Sequence, residues 1–204
     1  MIERIAHILS YIFHPVFMTL LGVLIIFNSG IYISDIPPEY KRFIYSIVFL
    51  CNVLIPVSIL PAMYLFKNLQ HVTLNERRER IIPLFFASIC FYLGYYLVSR
   101  FSSITVIDQF LFSSVIVVLA ILLISLFWKI SLHMAGLGGI SGLILMLSLI
   151  YTLDMTFYLS VLFLISGIVA SARLVLKEHN LLQIATGYFT GFLIVGIFLL
   201  QLVH

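Results

Sequence analysis

Charge is scarce in this sequence: 9% of the 204 residues are Asp, Glu, Lys or Arg, and 63% are hydrophobic. A soluble domain carries roughly a quarter charged residues, so a fold whose surface mainly faces water is excluded. Long polar linkers are missing as well. A single integral membrane domain over 1–204 is therefore expected. Cysteine is limited to Cys51 and Cys90, both inside apolar runs. There a thiol behaves as a small hydrophobe, which excludes a disulfide framework and leaves the compartment unread. A removable leader is not expected either. Residues 1–10 carry Glu3 and Arg4 and run into an apolar segment without a small-residue cleavage site.

What is abundant is uninterrupted apolar sequence. Runs of about 20 such residues span a bilayer as helices. Polar breaks divide the chain into spans near 10–34, 43–66, 82–99, 106–128, 133–153, 156–173 and 180–203. The fold class is thus all-α, a polytopic transmembrane bundle of about seven hydrophobic helices. The breaks carry turn chemistry, as in Asp35-Ile36-Pro37-Pro38 and Lys177-Glu178-His179-Asn180.

Because spans alternate direction, the N-terminus and the segments 67–81, 129–132 and 174–179 share one face. The segments 35–42, 100–105 and 154–155 share the other. The first face collects Arg4, Lys67, Arg77, Arg78, Arg80, Lys129, Arg173 and Lys177, against Lys41, Arg42 and Arg100 on the second. A topology rule that keeps cations on the cytoplasmic side explains this without any chemistry; an anion site explains it with chemistry. The histidines separate the two. His71, His133 and His179 lie on the cationic face, with His7 and His14 near it, and imidazole is not needed for topology.

Three segments of that face carry candidate chemistry. The first is Asn75-Glu76-Arg77-Arg78-Glu79-Arg80-Ile81-Ile82-Pro83 at the start of the third span. Its guanidinium groups are planar, always charged and bidentate, which suits phosphate, and the helix start adds backbone N–H groups. The competing account pairs Glu76 and Glu79 with the arginines in an interfacial network.

The second segment is Lys129-Ile130-Ser131-Leu132-His133, opening the fifth span. Ser131 is placed to cap that helix and to donate to an oxyanion, and His133 to move a proton. The spacings Gly138 to Gly142 and Gly187 to Gly191 are read as close helix packing.

The third runs from Ala172-Arg173 to His179-Asn180-Leu181-Leu182-Gln183. One helical turn separates His179 from Gln183, so an amide acceptor lies beside the imidazole and fixes the tautomer that frees the other nitrogen to attack. Glu178, next to His179, points to another face. His14-Pro15 is read as a bend in the first helix, with no catalytic role for His14.

In this order the segments resemble the phosphatidic acid phosphatase type 2 superfamily, whose pattern is Lys-x6-Arg-Pro, then Pro-Ser-Gly-His, then Ser-Arg-x5-His-x3-Asp. Arg173 and His179 hold the Arg-x5-His spacing, and Ser131 and His133 stand at the Ser and His of the second motif. The resemblance covers mainly 75–83 and 129–192 and implies a six-helix phosphatase-like core. It departs at Thr73, at Arg80-Ile81-Ile82-Pro83, at Ile130 and Leu132, at Ala172 and at Gln183 in the aspartate position.

The resemblance implies that His179 attacks phosphorus to give a phosphohistidine, oriented by Gln183, and that His133 protonates the leaving oxygen. Arg80, Arg173 and Ser131 would bind the phosphoryl group, with Arg77 or Arg78 substituting in the altered first motif. No cofactor and no metal is implied. The expected substrate is a lipid phosphate or diphosphate; the partners are membrane lipids, not nucleic acid. The expected location is integral to the membrane, the inner membrane of a bacterium. Gln183 supports one alternative, a non-catalytic relative that binds an anionic lipid or a membrane partner, because a neutral amide cannot stabilise an imidazolium as a carboxylate does. A haem-binding electron carrier is disfavoured, since His133 and His179 lie beside arginines.

Overall fold

A computed structural model of the chain describes residues 2–65, 80–102 and 104–203. Its regular elements are α1 (Ile2–Ile12), α2 (Met18–Phe27), α3 (Pro38–Val48), α4 (Ile55–Leu65), α5 (Ile81–Phe101), α6 (Thr105–Phe127), α7 (Leu132–Tyr151), α8 (Thr156–Val175) and α9 (Leu181–Leu200). Among the described residues seven helical stretches are long and apolar enough to cross a membrane, the first two being Ile2–Phe27 and Pro38–Ile59 and the other five α5 to α9. The protein is an integral membrane helix bundle, an architecture in which backbone polar groups find their hydrogen bonds within the spans.

The first two spans depart from the sequence reading. Helix begins at Ile2, well before 10, and breaks at His14, which is extended (φ −64°, ψ 134°). Pro15 biases its predecessor out of the helical region and opens a 3₁₀ turn, Pro15–Phe17, ahead of α2. The second span starts at Pro38, where a missing N–H costs nothing, so Lys41 and Arg42 belong to α3 and not to a loop. Between α3 and α4 the helix widens into a π turn, Phe49–Leu54, directly ahead of Pro56. Proline removes one hydrogen bond of the α ladder, and the wider turn absorbs the change of register.

α7 is the central helix, buried on nearly every side, and its tightest partner is α9. The glycines account for this. A Cβ at Gly142 would lie 2.7 Å from Phe192 O, one at Gly187 2.5 Å from Ser131 O, and at Gly138 and Gly191 it would strike Tyr188 O and Ala135 O. Main chain therefore rests on main chain, as the glycine spacing predicts. Tyr188 Oη donates to Ser141 Oγ (2.7 Å) across the same seam.

The alternation of spans holds. Arg80 Nη1 donates to Ile130 O (3.5 Å), Ser131 N to Gln183 O (3.3 Å), and Lys129 pairs with Glu178 (3.7 Å), so the three motif regions meet at one end. At the other end the Tyr32 and Tyr151 rings touch, and Tyr40 Oη donates to Phe101 O.

Candidate functional site

α8 ends in a turn that aims the third motif. Lys177 takes a left-handed conformation (φ 53°), and Glu178 N reaches back to Arg173 O (3.2 Å). For a residue with a Cβ this costs roughly 1–2 kcal/mol. The turn folds Glu178 and His179 back over the helix end. α9 then opens with Asn180 as its cap: Asn180 Oδ1 accepts from Gln183 N (2.9 Å), and Gln183 Oε1 accepts from Asn180 N (3.1 Å).

That reciprocal cap determines the protonation of His179. A backbone N–H can only donate, so the amide atom facing Asn180 N is the oxygen. The same Oε1 lies 3.2 Å from His179 Nδ1. Nδ1 must therefore carry the hydrogen, and Nε2 is left with a free lone pair. His179 is 6% exposed. Burial, then the nearby Arg80, Arg173 and Lys129 charges, hold its pKa down to about 3, against a small upward pull from Gln183. At neutral pH the ring is an uncharged base. Burial and Arg80 also lower Lys129, opposed by Glu178.

Arg173 is 8% exposed and divides its donors among three directions. Nη1 donates to Ser10 Oγ (3.2 Å), Nη2 pairs with Glu178 Oε2 (3.5 Å), and Nε is buried with no partner among the described residues. Glu178 also pairs with Lys129, so it serves the two cations rather than His179. Arg80, 6% exposed at the start of α5, faces the same space.

His133 is reached from an unexpected direction. Its Nε2 lies 3.0 Å from Ser10 O on α1. A carbonyl only accepts, so Nε2 carries the hydrogen and Nδ1 is the nitrogen left for chemistry. The ring of His14 stands edge-on to that of His133, with centroids 5.6 Å apart. Ser10 and His14 are thus site residues that the motifs omit. The signal for them was the helical spacing of His7, Ser10, Tyr11 and His14, one face of α1 and its continuation.

Ser131 does not join them. It holds the N-cap position of α7, but its side chain makes no cap hydrogen bond, its Oγ is buried with no partner among the described residues, and it lines neither cavity described below. Its main chain is held between Gln183 and Ala135, and α9 approaches that main chain at Gly187. Arg77 and Arg78 lie outside the described residues, as do His71, Thr73, Glu76 and Glu79.

These groups line a cavity of about 510 Å³. Its polar end holds His7, Ser10, His14, Arg80, His133, Arg173, Glu178 and His179. From there an apolar limb descends between helices, past Leu84, Val117, Ile121 and Ile140, to Phe91 and Phe110. Arg80 to Phe91 along α5 is about 16 Å at 1.5 Å per residue. A second, shallower cleft opens outside the first and is lined by Lys129, Lys177, Glu178, His179 and Gln183, so that Glu178 and His179 belong to both. Among the described residues no group of three or more His, Cys, Asp or Glu side chains is placed to hold a metal ion. Comparison with known proteins finds no matching family model, no matching curated protein and no matching solved structure.

Proposed function

We propose that this protein is a membrane phosphatase that hydrolyses a lipid phosphate or diphosphate through a phosphohistidine, without a metal. The observation that carries the reading is the single cavity in which a neutral, tautomer-fixed His179 and two buried arginines sit above an apolar limb between helices. A phosphate head and a hydrocarbon chain require those two environments, joined. The resemblance of the motifs supports the same chemistry.

In this reading Arg80 and Arg173 hold the phosphoryl oxygens, and Arg173 exchanges Glu178 for the substrate. The lone pair of His179 Nε2 forms the bond to phosphorus, while Gln183 Oε1 keeps the Nδ1 hydrogen. His133 Nδ1 takes the proton of the bound monoanionic phosphate; the P–O bond to the leaving group breaks, and that oxygen takes the same proton from Nδ1. His133 keeps its Nε2 hydrogen on Ser10 O throughout. Water then attacks phosphorus, the P–N bond returns its pair to Nε2, and one proton of water passes through His133 Nδ1 to the released phosphate, which leaves the ring neutral again. Phosphoryl transfer asks mainly for positioning and for stabilised equatorial oxygens, which these groups supply.

The test is phosphate release by the purified chain from a panel of lipid phosphates and diphosphates, with chelator present. Release that persists in chelator and falls by on the order of 10⁴-fold or more in His179→Ala is the expected result. One observation favours a second reading, a non-catalytic binder of anionic lipid. Among the described residues the partner of His179 Nδ1 is a neutral amide, and the adjacent carboxylate, Glu178, is committed to Arg173 and Lys129. Binding of lipid phosphate with no turnover on any substrate decides for it.

A further inference from the structure

His14 belongs to none of the three motifs, and its plainest role is structural: it caps the turn Pro15–Phe17, its Nδ1 accepting from Val16 N (3.4 Å). The same bond has a second consequence. A backbone N–H can only donate, so Nδ1 holds the lone pair and the hydrogen of the neutral ring is on Nε2. Among the described residues no acceptor takes that hydrogen. The ring lines the polar end of the cavity, edge-on to His133. One turn earlier Ser10 ties the N-terminal segment to the site twice, its Oγ to Arg173 and its carbonyl to His133.

We propose that His14 is a phosphate-binding residue, presenting its Nε2–H as a neutral donor to the anion that Arg80 and Arg173 hold. This rests on the reading of the cavity as a phosphate site, but not on turnover. The chemistry is complementary to that of the arginines. Two guanidinium groups supply charge; an uncharged N–H supplies direction without adding to their mutual repulsion. Cap and donor are opposite ends of one ring, so both roles coexist.

The two roles separate by substitution. Asparagine at 14 keeps an acceptor close to the main chain, preserving the cap, and loses the distal donor. Glutamine reaches as far as Nε2 and restores an N–H there, but forfeits the cap geometry. The experiment titrates inorganic phosphate into the detergent-solubilised full chain by calorimetry, for wild type, His14→Asn and His14→Gln, with thermal unfolding as the check of folding. A lost hydrogen bond to a charged group corresponds to about a ten- to hundredfold weaker affinity in His14→Asn, with His14→Gln within a few-fold of wild type.

Tight binding by His14→Asn overturns the proposal, as does a folded His14→Gln no better than Asn. If the glutamine variant fails to fold, the capped asparagine variant decides alone. Lipid-phosphate turnover is measured in parallel. Wild type that binds phosphate but releases none from any lipid overturns the hydrolase reading and leaves the His14 proposal to the titration. Wild type that does not bind phosphate overturns both.

Discussion

The two ends of the bundle both carry cations, and they carry them differently. At the end formed by the start of α3 and the close of α5, Arg42 pairs with Glu39 at 3.3 Å with both side chains about three-quarters exposed (74% and 77%), and Arg100 is exposed. At the motif end the Arg173–Glu178 pair is 10% and 26% exposed, and Arg80 is buried. A topology signal needs positive charge at a surface and does not need it inside. Taking a guanidinium out of water is costly unless partners replace the water, and Arg173 keeps a buried Nε with none among the described residues. An orientation signal accounts for the number of these charges but not for their burial.

Removing one arginine from each end separates the two roles most directly. Arg173→Ala is expected to lower phosphate release by about 10²–10³-fold, the loss typical of one group that stabilises a transition-state charge, while Arg42→Ala leaves it unchanged. Equal effects at the two ends would return both to the topology signal. The α7–α9 seam beneath the motif end comes next. Gly191→Leu, which drives a side chain into Ala135 O, is expected to cost about 1–3 kcal/mol, read as a lowered Tm. Leucine at Gly167, which has open space around it, is expected to cost little.

A subtler change sharpens the account of His179. Gln183→Glu keeps an acceptor for Asn180 N and His179 Nδ1 and adds a charge, so the imidazole pKa is expected to rise by about 1–3 units. An NMR titration of the ring measures it. The smallest effect is on stability. The folded pKa of about 3 lies below the ordinary 6.5, so folding favours the neutral ring. That contribution is complete above pH 6.5 and is lost as the pH falls toward 3. Between those values Tm is expected to fall more steeply for wild type than for His179→Gln.

Much of this was legible because the physics is local or nearly so. Bilayer thickness fixes span length, so α5 to α9 fall within a few residues of their expected places. The i,i+4 rule placed Gln183 beside His179, and glycine spacing gave the seam. The illegible parts depend on distance along the chain. Ser10 meets His133 and Arg173 from 123 and 163 residues away; the spacing within α1 marks the face that carries Ser10 but not what that face meets. Glu3, Arg4 and His7 also disguise α1 as a tail, when it is an amphipathic helix with Ile2, Ile5, Ile8 and Ile12 exposed on its outer side. Ser131 stands at the cap position that its sequence context predicts, but its side chain makes no cap hydrogen bond, which nothing local in the sequence announces.

The main-chain contact between α7 and α9 bears on how such a protein can drift in sequence. His133 and His179 stand at the beginnings of two helices whose backbones touch at several levels, so the spacing of those helices is set by four glycines as well as by the bonds around each histidine. The outward face of α9, with Leu182, Phe189, Leu193 and Ile197 exposed, only has to remain oily. Replacements there are nearly free, whereas one added methyl group at Gly138 pries the helices apart. A lineage with this skeleton can therefore lose its letter-by-letter likeness to any relative while the two imidazoles stay where they were.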